Sequence, residues 1–268
     1  MSTLSEAGLY VSVSQLKTYL RCPRQYELRY VRGERPEFTA AALVLGSAVH
    51  GALAAFYAGL RDGSPLDLAT MLEAFGLAWV AAQPVDRPLQ LDKDEDERQV
   101  RAEGERMLRV FHAHAARSPQ VRPVMIEAPF SVELHDPTTG EILEERLIGV
   151  MDLVAEVGDQ VRIFEHKTSA RRYSRDQVDH DLQATAYLLA ARALGLAVAG
   201  LTYQVLTKTA TPVVQVEDVN RTAQQEREFL ATVVGVLRAI DAGAFYPVRG
   251  WQCRSCAHRT ACDRNQSR

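Results

Sequence analysis

The feature that most constrains the fold is a pair of strand-like segments separated by a tight turn in the middle of the chain. Residues 142–157 and 160–167 are rich in strand-forming residues, and Gly158-Asp159 between them matches a two-residue hairpin loop. If these two residues form the turn, Val157 faces Gln160, and each step back along one strand is matched by a step along the other. The sequence therefore predicts an antiparallel hairpin of defined register.

This register brings two carboxylates face to face. Asp152 lies opposite Glu165, and Val150 lies opposite Lys167, which shares a strand face with Glu165. Facing side chains are about 4.5 to 5.5 Å apart at Cβ, where two carboxylates repel unless a cation lies between them. Mg²⁺ or Mn²⁺ would relieve this repulsion, because carboxylate oxygens, water and phosphate are usual ligands of such ions. A simple salt bridge, in which Lys167 only neutralises the two carboxylates, is equally compatible with the geometry.

The segments around the hairpin predict the fold class. Strands are expected over residues 124–135, 142–157, 160–167 and 198–206. Helices are expected from Ser14 as N-cap with a break at Pro23, and then over residues 46–60, 65–82, 94–117, 174–194 and 220–242, the last capped by Asn220. The order predicts an α/β fold in which a central mixed β-sheet is flanked by helices, with a helical N-terminal elaboration.

The chain is expected to form a single domain over residues 1–268. We predict a mainly helical part over 1–120, a sheet core over 121–208, and a C-terminal helix with a cysteine cluster over 209–268. With 268 residues and 47% hydrophobic content, the chain can bury a substantial core. It contains no GxxxxGK[ST] motif, so no ATP-driven motor is encoded in it.

Charge and hydropathy bear on partners and location. The formal net charge is −3, so nucleic-acid binding would have to be local rather than a property of the whole chain. The beginning of the chain lacks a basic leader and an apolar signal segment, and the apolar residues 184–201 are interrupted by Arg192, Gly195 and Gly200. We therefore expect a cytoplasmic protein with no membrane span.

Arginines concentrate in three regions, whereas acidic residues mass in the segment DKDEDE. The arginines are Arg21, Arg24, Arg29, Arg32, Arg35, Arg171, Arg172, Arg175, Arg249, Arg254, Arg259, Arg264 and Arg268. Such segregation predicts a positive path that binds phosphates in a salt-dependent way. Arginines that are merely solvated on the surface are the alternative.

The four cysteines have a spacing typical of a metal site. Cys253, Cys256 and Cys262 lie close together, and Cys22 is the only other cysteine of the chain. Three thiolates leave room for a distant fourth, and a four-thiolate site suits zinc or an iron–sulfur cluster. His258 offers another fourth ligand for a local zinc site.

The strand motifs carry a family resemblance. GVMDLV followed by FEHKTS resembles the (G)xxD…ExK signature of PD-(D/E)xK nucleases, and LGSAVHGAL and DLQATAYLLA resemble further motifs of the RecB-like branch. The resemblance implies a restriction-endonuclease-like core in which His50, Asp152 and Glu165 bind a metal ion. It also implies that His166 contributes its backbone carbonyl to that ion. Taken without the resemblance, His50 would be read as a core histidine on an apolar helix.

The same resemblance implies roles for two residues of the DLQATAYLLA motif. Gln183 and Tyr187 are four residues apart and share a helix face. They would contact the substrate or brace Lys167. A polar helix position beside a packed tyrosine is the alternative.

The cysteine pattern extends the resemblance to both ends of the chain. RCPRQYELRYV and WQCRSCAHRTAC are similar to the split four-cysteine pattern of the AddB nuclease module and of CRISPR-associated RecB-like exonucleases. This implies that Cys22, Cys253, Cys256 and Cys262 hold a 4Fe-4S cluster that staples the C-terminal part of the fold.

The expected function is hydrolysis of DNA phosphodiester bonds. The resemblance implies an exonuclease on single-stranded DNA, in DNA repair, recombination or CRISPR adaptation, with a helicase or a CRISPR adaptation protein as partner. A non-catalytic iron–sulfur subunit that binds nucleic acid is the main alternative. A zinc-stapled scaffold protein is a third interpretation, distinguished by its lack of visible absorbance.

Overall fold

The computed structural model describes residues 9–93, 95–118 and 120–264. In this part of the chain the helices are α1 Val13–Arg21, α2 Pro23–Tyr26, α3 Ala41–Arg61, α4 Leu68–Ala82, α5 Glu97–Ala115, α6 Arg175–His180, α7 Leu182–Ala193, α8 Ala223–Asp241 and α9 Arg259–Arg264. The strands are β1 Tyr10–Ser12, β2 Thr39–Ala40, β3 Leu89–Gln90, β4 Val121–His135, β5 Ile142–Val157, β6 Gln160–Ser169, β7 Val198–Thr207 and β8 Val214–Val219. A π-helical turn covers Glu27–Val31, and a 3₁₀ turn covers Trp251–Ser255.

The chain divides into two compact units that are interleaved in sequence. The first unit comprises the residues up to 38, residues 130–149, and the residues from 221 onward. The second unit comprises Thr39–Pro129 and Val150–Asn220. Both β4 and β5 therefore contribute one part to each unit.

The second unit is built on a mixed sheet. β5 and β6 are antiparallel, β6 and β7 are parallel, and β7 and β8 are antiparallel. Val157 faces Gln160 and Leu153 faces Phe164, so the predicted hairpin and its register are confirmed over these residues. Helices α3, α5, α6 and α7 contact the strands. The predicted mixed α/β class, with a sheet flanked by helices, is confirmed.

Helix α3 is the centre of the hydrophobic core of this unit. Its side chains Leu45, Leu53 and Phe56 are buried together with Phe75 of α4 and Phe111 of α5. Removing such side chains from water stabilises the unit by about 1.5 to 3 kcal/mol each. The buried face of α3 thus fixes the helix that carries His50.

The structure corrects two predicted helix starts. The N-cap of α1 is Ser12 rather than Ser14, and the N-cap of α8 is Thr222 rather than Asn220. In both helices a glutamine three residues after the cap donates its backbone N–H to the cap hydroxyl and accepts from the cap N–H. This reciprocal pairing satisfies two backbone donors at once, which neither Ser14 nor Asn220 could do with the residue three positions further on.

One further predicted helix is interrupted, and one strand was missed. The helix predicted over residues 174–194 is two helices, because Asp181 is extended and its side chain accepts from the N–H of Gln183 to cap α7. Strand β8 was not predicted, and it precedes the helix that was predicted over residues 220–242. Asp94, the first residue of another predicted helix, lies outside the described residues.

The first unit joins the N-terminal and C-terminal segments of the described part of the chain. Strand β1 pairs in parallel with residues 146–148 at the beginning of β5, and α1 packs against α8. The Tyr19 hydroxyl donates to the carbonyl of Ala244 at 2.8 Å, and the rings of Tyr26 and Phe245 stack at 6.4 Å. These contacts bring Cys22 to the C-terminal segment.

Among the described helices, α3 has the length and composition of a membrane span. Half of its most apolar window is nevertheless buried inside the protein, as expected for a core helix. The length and composition of α3 are therefore only weak evidence for a membrane-spanning helix.

Candidate functional site

Asp152 lies at the centre of a polar cluster in the second unit. Its Oδ1 is 3.3 Å from Nδ1 of His50 on α3, and its Oδ2 accepts a 2.7 Å hydrogen bond from the backbone N–H of His166 on β6. Burial would raise the pKa of Asp152, but the hydrogen bonds from His166 and His50 outweigh burial and hold the pKa far below its usual range. This carboxylate is therefore ionised at neutral pH and available to a cation.

Glu127 completes a potential metal site that the sequence analysis missed. One ligand atom each from His50, Glu127 and Asp152 lies within 4.8 Å of the other two. Glu127 has φ of 47°, the one positive value among the described non-glycine residues, and this conformation costs an L-residue about 1–2 kcal/mol. No motif used in the sequence analysis includes Glu127, because its strand was identified only from its apolar and β-branched residues.

The Glu165 and Lys167 side chains meet on the same strand face, as predicted. Lys167 Nζ donates to Glu165 Oε1 at 2.6 Å and to Gln183 Oε1 at 2.7 Å. The Gln183 amide donates to Glu165 Oε1 at 2.7 Å and to the Tyr187 hydroxyl at 2.9 Å. Tyr187 in turn donates to the carbonyl of Val150 at 2.7 Å. Gln183 and Tyr187 therefore brace the lysine and glutamate from α7.

One oxygen of Glu165 is poorly satisfied. Its Oε2 is buried and has no hydrogen-bond partner among the described residues. Burial, partly offset by Lys167, raises the pKa of Glu165 to about 7. A divalent cation would stabilise this arrangement, in which the Glu165 Oε2 without a hydrogen-bond partner lies close to the ionised Asp152.

His166 points away from Glu165 and Lys167, to the opposite face of the strand. Its ring packs edge-on against Phe111, and its Nε2 lies 3.4 Å from the Tyr57 hydroxyl. Burial lowers the pKa of His166, so the ring is neutral. The ring Nδ1 also lies 3.6 Å from Asp152 Oδ2, so the ring borders the candidate metal site, and a contact between a metal and the backbone of His166 stays a prediction.

A cavity of about 730 Å³ opens beside this cluster. His50 and Glu127 line it together with Gly46, Thr168 and Lys208, and the remaining lining comes from small residues and Leu43 of α3. The cavity gives the candidate metal site access to a ligand.

A model of the PD-(D/E)XK nuclease superfamily matches residues 10–263. The chain belongs to this superfamily. Nucleases of the superfamily use divalent metal ions, and His50, Glu127 and Asp152 form a candidate site for such an ion.

One solved structure supports the fold. A candidate exonuclease from Eubacterium rectale superposes with a TM-score of 0.53 at 17% identity, covering 93% of this chain and 87% of the other. A second structure, of the protein SSO0001, covers 92% of this chain and 93% of its own at 11% identity, with a TM-score of only 0.38. No curated protein matches the nuclease. At 17% identity, the similarity to the Eubacterium rectale structure concerns the fold alone.

The four cysteines of the nuclease lie around one cavity of the first unit. Cys22, Cys253, Cys256 and Cys262 all line it, none is in a disulfide, and His258 does not contribute to its lining. Within the described residues, no three of the sulfurs converge within 4.8 Å. The ligand geometry therefore does not by itself support the predicted cluster.

The predicted arginine regions differ in their surroundings. Arg24 pairs with Glu27, and Arg249 pairs with Asp263 at 3.0 Å; both arginines line the cysteine cavity. Arg171 is exposed on the loop after β6. Arg268 lies outside the described residues.

Proposed function

We propose that this nuclease is a RecB-like enzyme that hydrolyses DNA from its ends, with single-stranded DNA as substrate and Mg²⁺ or Mn²⁺ as cofactor. The observation that carries the proposal is the meeting of His50, Glu127 and Asp152 beside the Glu165–Lys167 pair. A salt bridge alone would need no third acidic group and no histidine. A cation-binding site explains why these groups gather beside a cavity that His50 and Glu127 line.

The residues fit a divalent ion. Asp152, Glu127 and His50 would hold it, with Glu165 using its unpartnered oxygen and His166 contributing its backbone carbonyl. When bound, such an ion polarises the scissile phosphate and lowers the pKa of water. Asp152 is suited to this role because it is ionised over the whole neutral range.

Lys167 is the residue best suited to act on the attacking water. Its ammonium group is held by Glu165 and Gln183, and the Glu165 charge raises the pKa of Lys167 against the effect of burial. A charged lysine in a defined position can orient water or bind a phosphate oxygen. Gln183 and Tyr187 act as positioning residues for this pair.

The preference for ends and single strands rests on the RecB-like motifs. The pathways that fit such an activity are DNA repair, recombination and CRISPR adaptation, and a helicase or a CRISPR adaptation protein would supply the strand. We also propose that the whole chain acts as one nuclease domain in the cytoplasm.

The cysteines are proposed to hold a 4Fe-4S cluster that staples the first unit. All four cysteines line one cavity, and four cysteine thiolates are the usual ligands of such a cluster. A zinc ion is the alternative occupant. Iron and sulfide analysis of anaerobically purified protein, with its visible absorbance, separates the two.

A non-catalytic nucleic-acid-binding subunit is the second candidate function. A cluster held by the four cysteines would suffice for this function without the Asp152 site. The Lys167–Glu165–Gln183 network disfavours it, because a site without catalysis has no need to hold a lysine beside two buried carboxylates.

The test is a time course of end-labelled single-stranded DNA with Mg²⁺ or Mn²⁺. The native protein is compared with Asp152→Ala and with Glu73→Ala, an exposed glutamate of α4, at matched folding and iron content. Cleavage by the native protein and Glu73→Ala but not by Asp152→Ala supports the nuclease, and the product ladder gives its polarity. Binding of DNA by all three proteins without cleavage would favour the subunit.

A further inference from the structure

Two loops leave the sheet side by side next to the candidate site. Strands β6 and β7 are parallel, Ser169 faces Thr207 at their carboxyl ends, and the N–H of Lys208 donates to the carbonyl of Ser169 at 2.7 Å. In open α/β sheets, ligands bind outside the carboxyl ends of parallel strands. Thr168 and Lys208 at these ends line the same cavity as His50. We call residues 170–173 and Lys208 the loop pair.

The loop pair carries three cations. Arg171 and Arg172 are exposed, and neither guanidinium forms an ion pair with a carboxylate of residues 9–93, 95–118 or 120–264. Lys208 adds a third positive charge at the wall of the cavity. The two arginines, which no carboxylate of these residues neutralises, are available for phosphate groups, and the charge of Lys208 also acts on Glu103.

The backbone of Tyr173 is clamped by one buried side chain. The N–H of Tyr173 donates to Gln215 Oε1 at 2.8 Å, and Gln215 Nε2 donates to the carbonyl of Tyr173 at 2.9 Å. The second amide hydrogen of Gln215 is directed to Glu217 Oε1 at 2.9 Å. Gln215 is only 8% exposed, and a buried amide without hydrogen-bond partners would destabilise the fold. Both the oxygen and the nitrogen of its amide form hydrogen bonds. The loop is therefore held in one position rather than merely connecting β6 to α6.

This clamp holds an aromatic ring close to the catalytic pair. The ring of Tyr173 lies 6.0 Å from that of Tyr203 and remains partly exposed. Burial raises the pKa of Tyr173, and the charges of Lys167 and Glu165 also act on it.

We infer that the loop pair binds a single strand of nucleic acid and delivers it to the candidate site. Tyr173 stacks on an unpaired base, while Arg171, Arg172 and Lys208 bind phosphates on either side. The inference rests on the proposed nuclease function and names the surface through which that function selects its substrate.

The chemistry favours a single strand over a duplex. Base–aromatic stacking needs an exposed base face, which a duplex offers only at its end, and it combines with a cationic groove in proteins that bind single strands without sequence preference. A duplex could still use the three cations. Loss of the ring should therefore affect single strands more than duplexes, and loss of the cations should affect both.

The first experiment measures binding in EDTA, where no cleavage occurs. Fluorescence anisotropy with a labelled single-stranded oligonucleotide compares the triple variant Arg171→Gln/Arg172→Gln/Lys208→Gln with the native protein over a range of salt concentrations. We expect tenfold or greater weakening, and a plot of log K against log salt that is less steep by about 2, since each phosphate contact contributes about 0.7. The matched control is Lys93→Gln/Arg98→Gln/Arg109→Gln, which removes three exposed cations elsewhere in the second unit. Equal slopes for the triple variant and this control would overturn the inference.

The second experiment concerns the ring. Tyr173→Leu keeps apolar volume but removes stacking and should weaken single-strand binding roughly fivefold to 100-fold, with a smaller effect on a blunt duplex. Tyr173→Phe should retain native binding. If Tyr173→Leu behaves like Tyr173→Phe on both substrates, Tyr173 does not contact a base.

The two proposals fail in different ways. Native protein that binds single strands through the loop pair but cleaves nothing with Mg²⁺ or Mn²⁺ contradicts the nuclease proposal and leaves the binding surface in place. Native protein that cleaves, with a triple variant of unchanged affinity and KM, contradicts the surface alone.

Discussion

At the residue scale, Glu127 combines a strained backbone with a carboxylate at the candidate metal site. A left-handed conformation outside glycine persists only where the surrounding structure imposes it, and such positions cluster at functional sites. The two neighbouring acidic groups also repel: burial and Asp152 raise the pKa of Glu127. The backbone strain at Glu127 and its repulsion with Asp152 are both explained if the Glu127 carboxylate is held there to bind a cation.

This predicts opposite effects of Glu127→Gln on metal binding and on the metal-free protein. Loss of one anionic ligand should weaken Mn²⁺ binding roughly tenfold, which corresponds to about 1.4 kcal/mol. The metal-free variant should be at least as stable as the native protein, because repulsion with Asp152 is removed. Calorimetric titration with Mn²⁺ and urea unfolding measure the two effects. Glu73→Gln is the control, and unchanged Mn²⁺ affinity in Glu127→Gln would exclude Glu127 as a ligand.

Glu165 predicts how the stability of the metal-free protein depends on pH. Its pKa is raised to about 7 in the folded state, so the folded protein binds more protons than the unfolded chain between about pH 4.5 and 7. The stabilisation from this carboxyl is complete below that interval and is lost as the pH rises through 7. Asp152, whose pKa is lowered, loses its own stabilisation only in more acidic solution.

Glu165→Gln should therefore remove part of this dependence. The variant should be more stable than the native protein at pH 8 by on the order of 2 kcal/mol and close to it at pH 5, when both are measured by urea unfolding in EDTA. A difference that is the same at both pH values would mean that Glu165 titrates normally.

Part of the candidate site was predictable from the sequence. The structure brings His50 to Asp152 and joins Glu165 to Lys167, as the hairpin register and the motifs predicted. Their chemical roles remain predictions. Glu127 could not be found in this way, because its position depends on a backbone conformation that an L-residue adopts only under constraint from the rest of the fold.

At the element scale, α5 packs against α3 and α4 through Gly104. A Cβ built at Gly104 would lie 2.5 Å from the Phe75 ring and 2.7 Å from Leu45 Cδ1, closer than real Cβ contacts. Both neighbours are fully buried. The helices can approach this closely only because position 104 has no side chain.

Gly104→Ala is therefore expected to destabilise the protein by about 1–3 kcal/mol, although alanine is the better helix former. Gly235→Ala on α8 is the matched control. A Cβ there meets nothing within 4 Å, so it should stabilise the protein by up to about 1 kcal/mol. Urea unfolding compares the two, and a stabilising Gly104→Ala would show that the helices can separate without cost.

Elements were predictable where hydropathy and burial agree. Strand β8 was missed because Gln215 is buried whereas Val216 is 46% exposed, which inverts the alternation that identifies a half-buried strand. The break between α6 and α7 was missed for another reason. Asp181 prefers to cap α7 rather than continue the preceding helix, and helical periodicity carries no information on that competition.

At the scale of the whole molecule, the proposed cluster links ligands that are far apart in sequence. Cys22→Ser should abolish the visible absorbance and lower the iron content of anaerobically purified protein. It should also lower the Tm by about 5 °C or more, since metal ligation contributes directly to folding. Asp152→Asn is the control, with absorbance and iron content unchanged but DNA cleavage lost. Native absorbance in Cys22→Ser would show that Cys22 is not a ligand.

The interleaving of the two units has a consequence for biosynthesis. Every residue of the second unit has left the ribosome once residue 220 is clear of it, so the sheet and the candidate site can form while translation continues. The first unit has to wait for the last segment, because β1, α1 and Cys22 find their partners in residues made late. In the living cell the unit with the candidate metal site would thus be able to fold before the unit that carries the cysteines, and any metal cofactor held by Cys22 and the three later cysteines would be loaded after that site had formed.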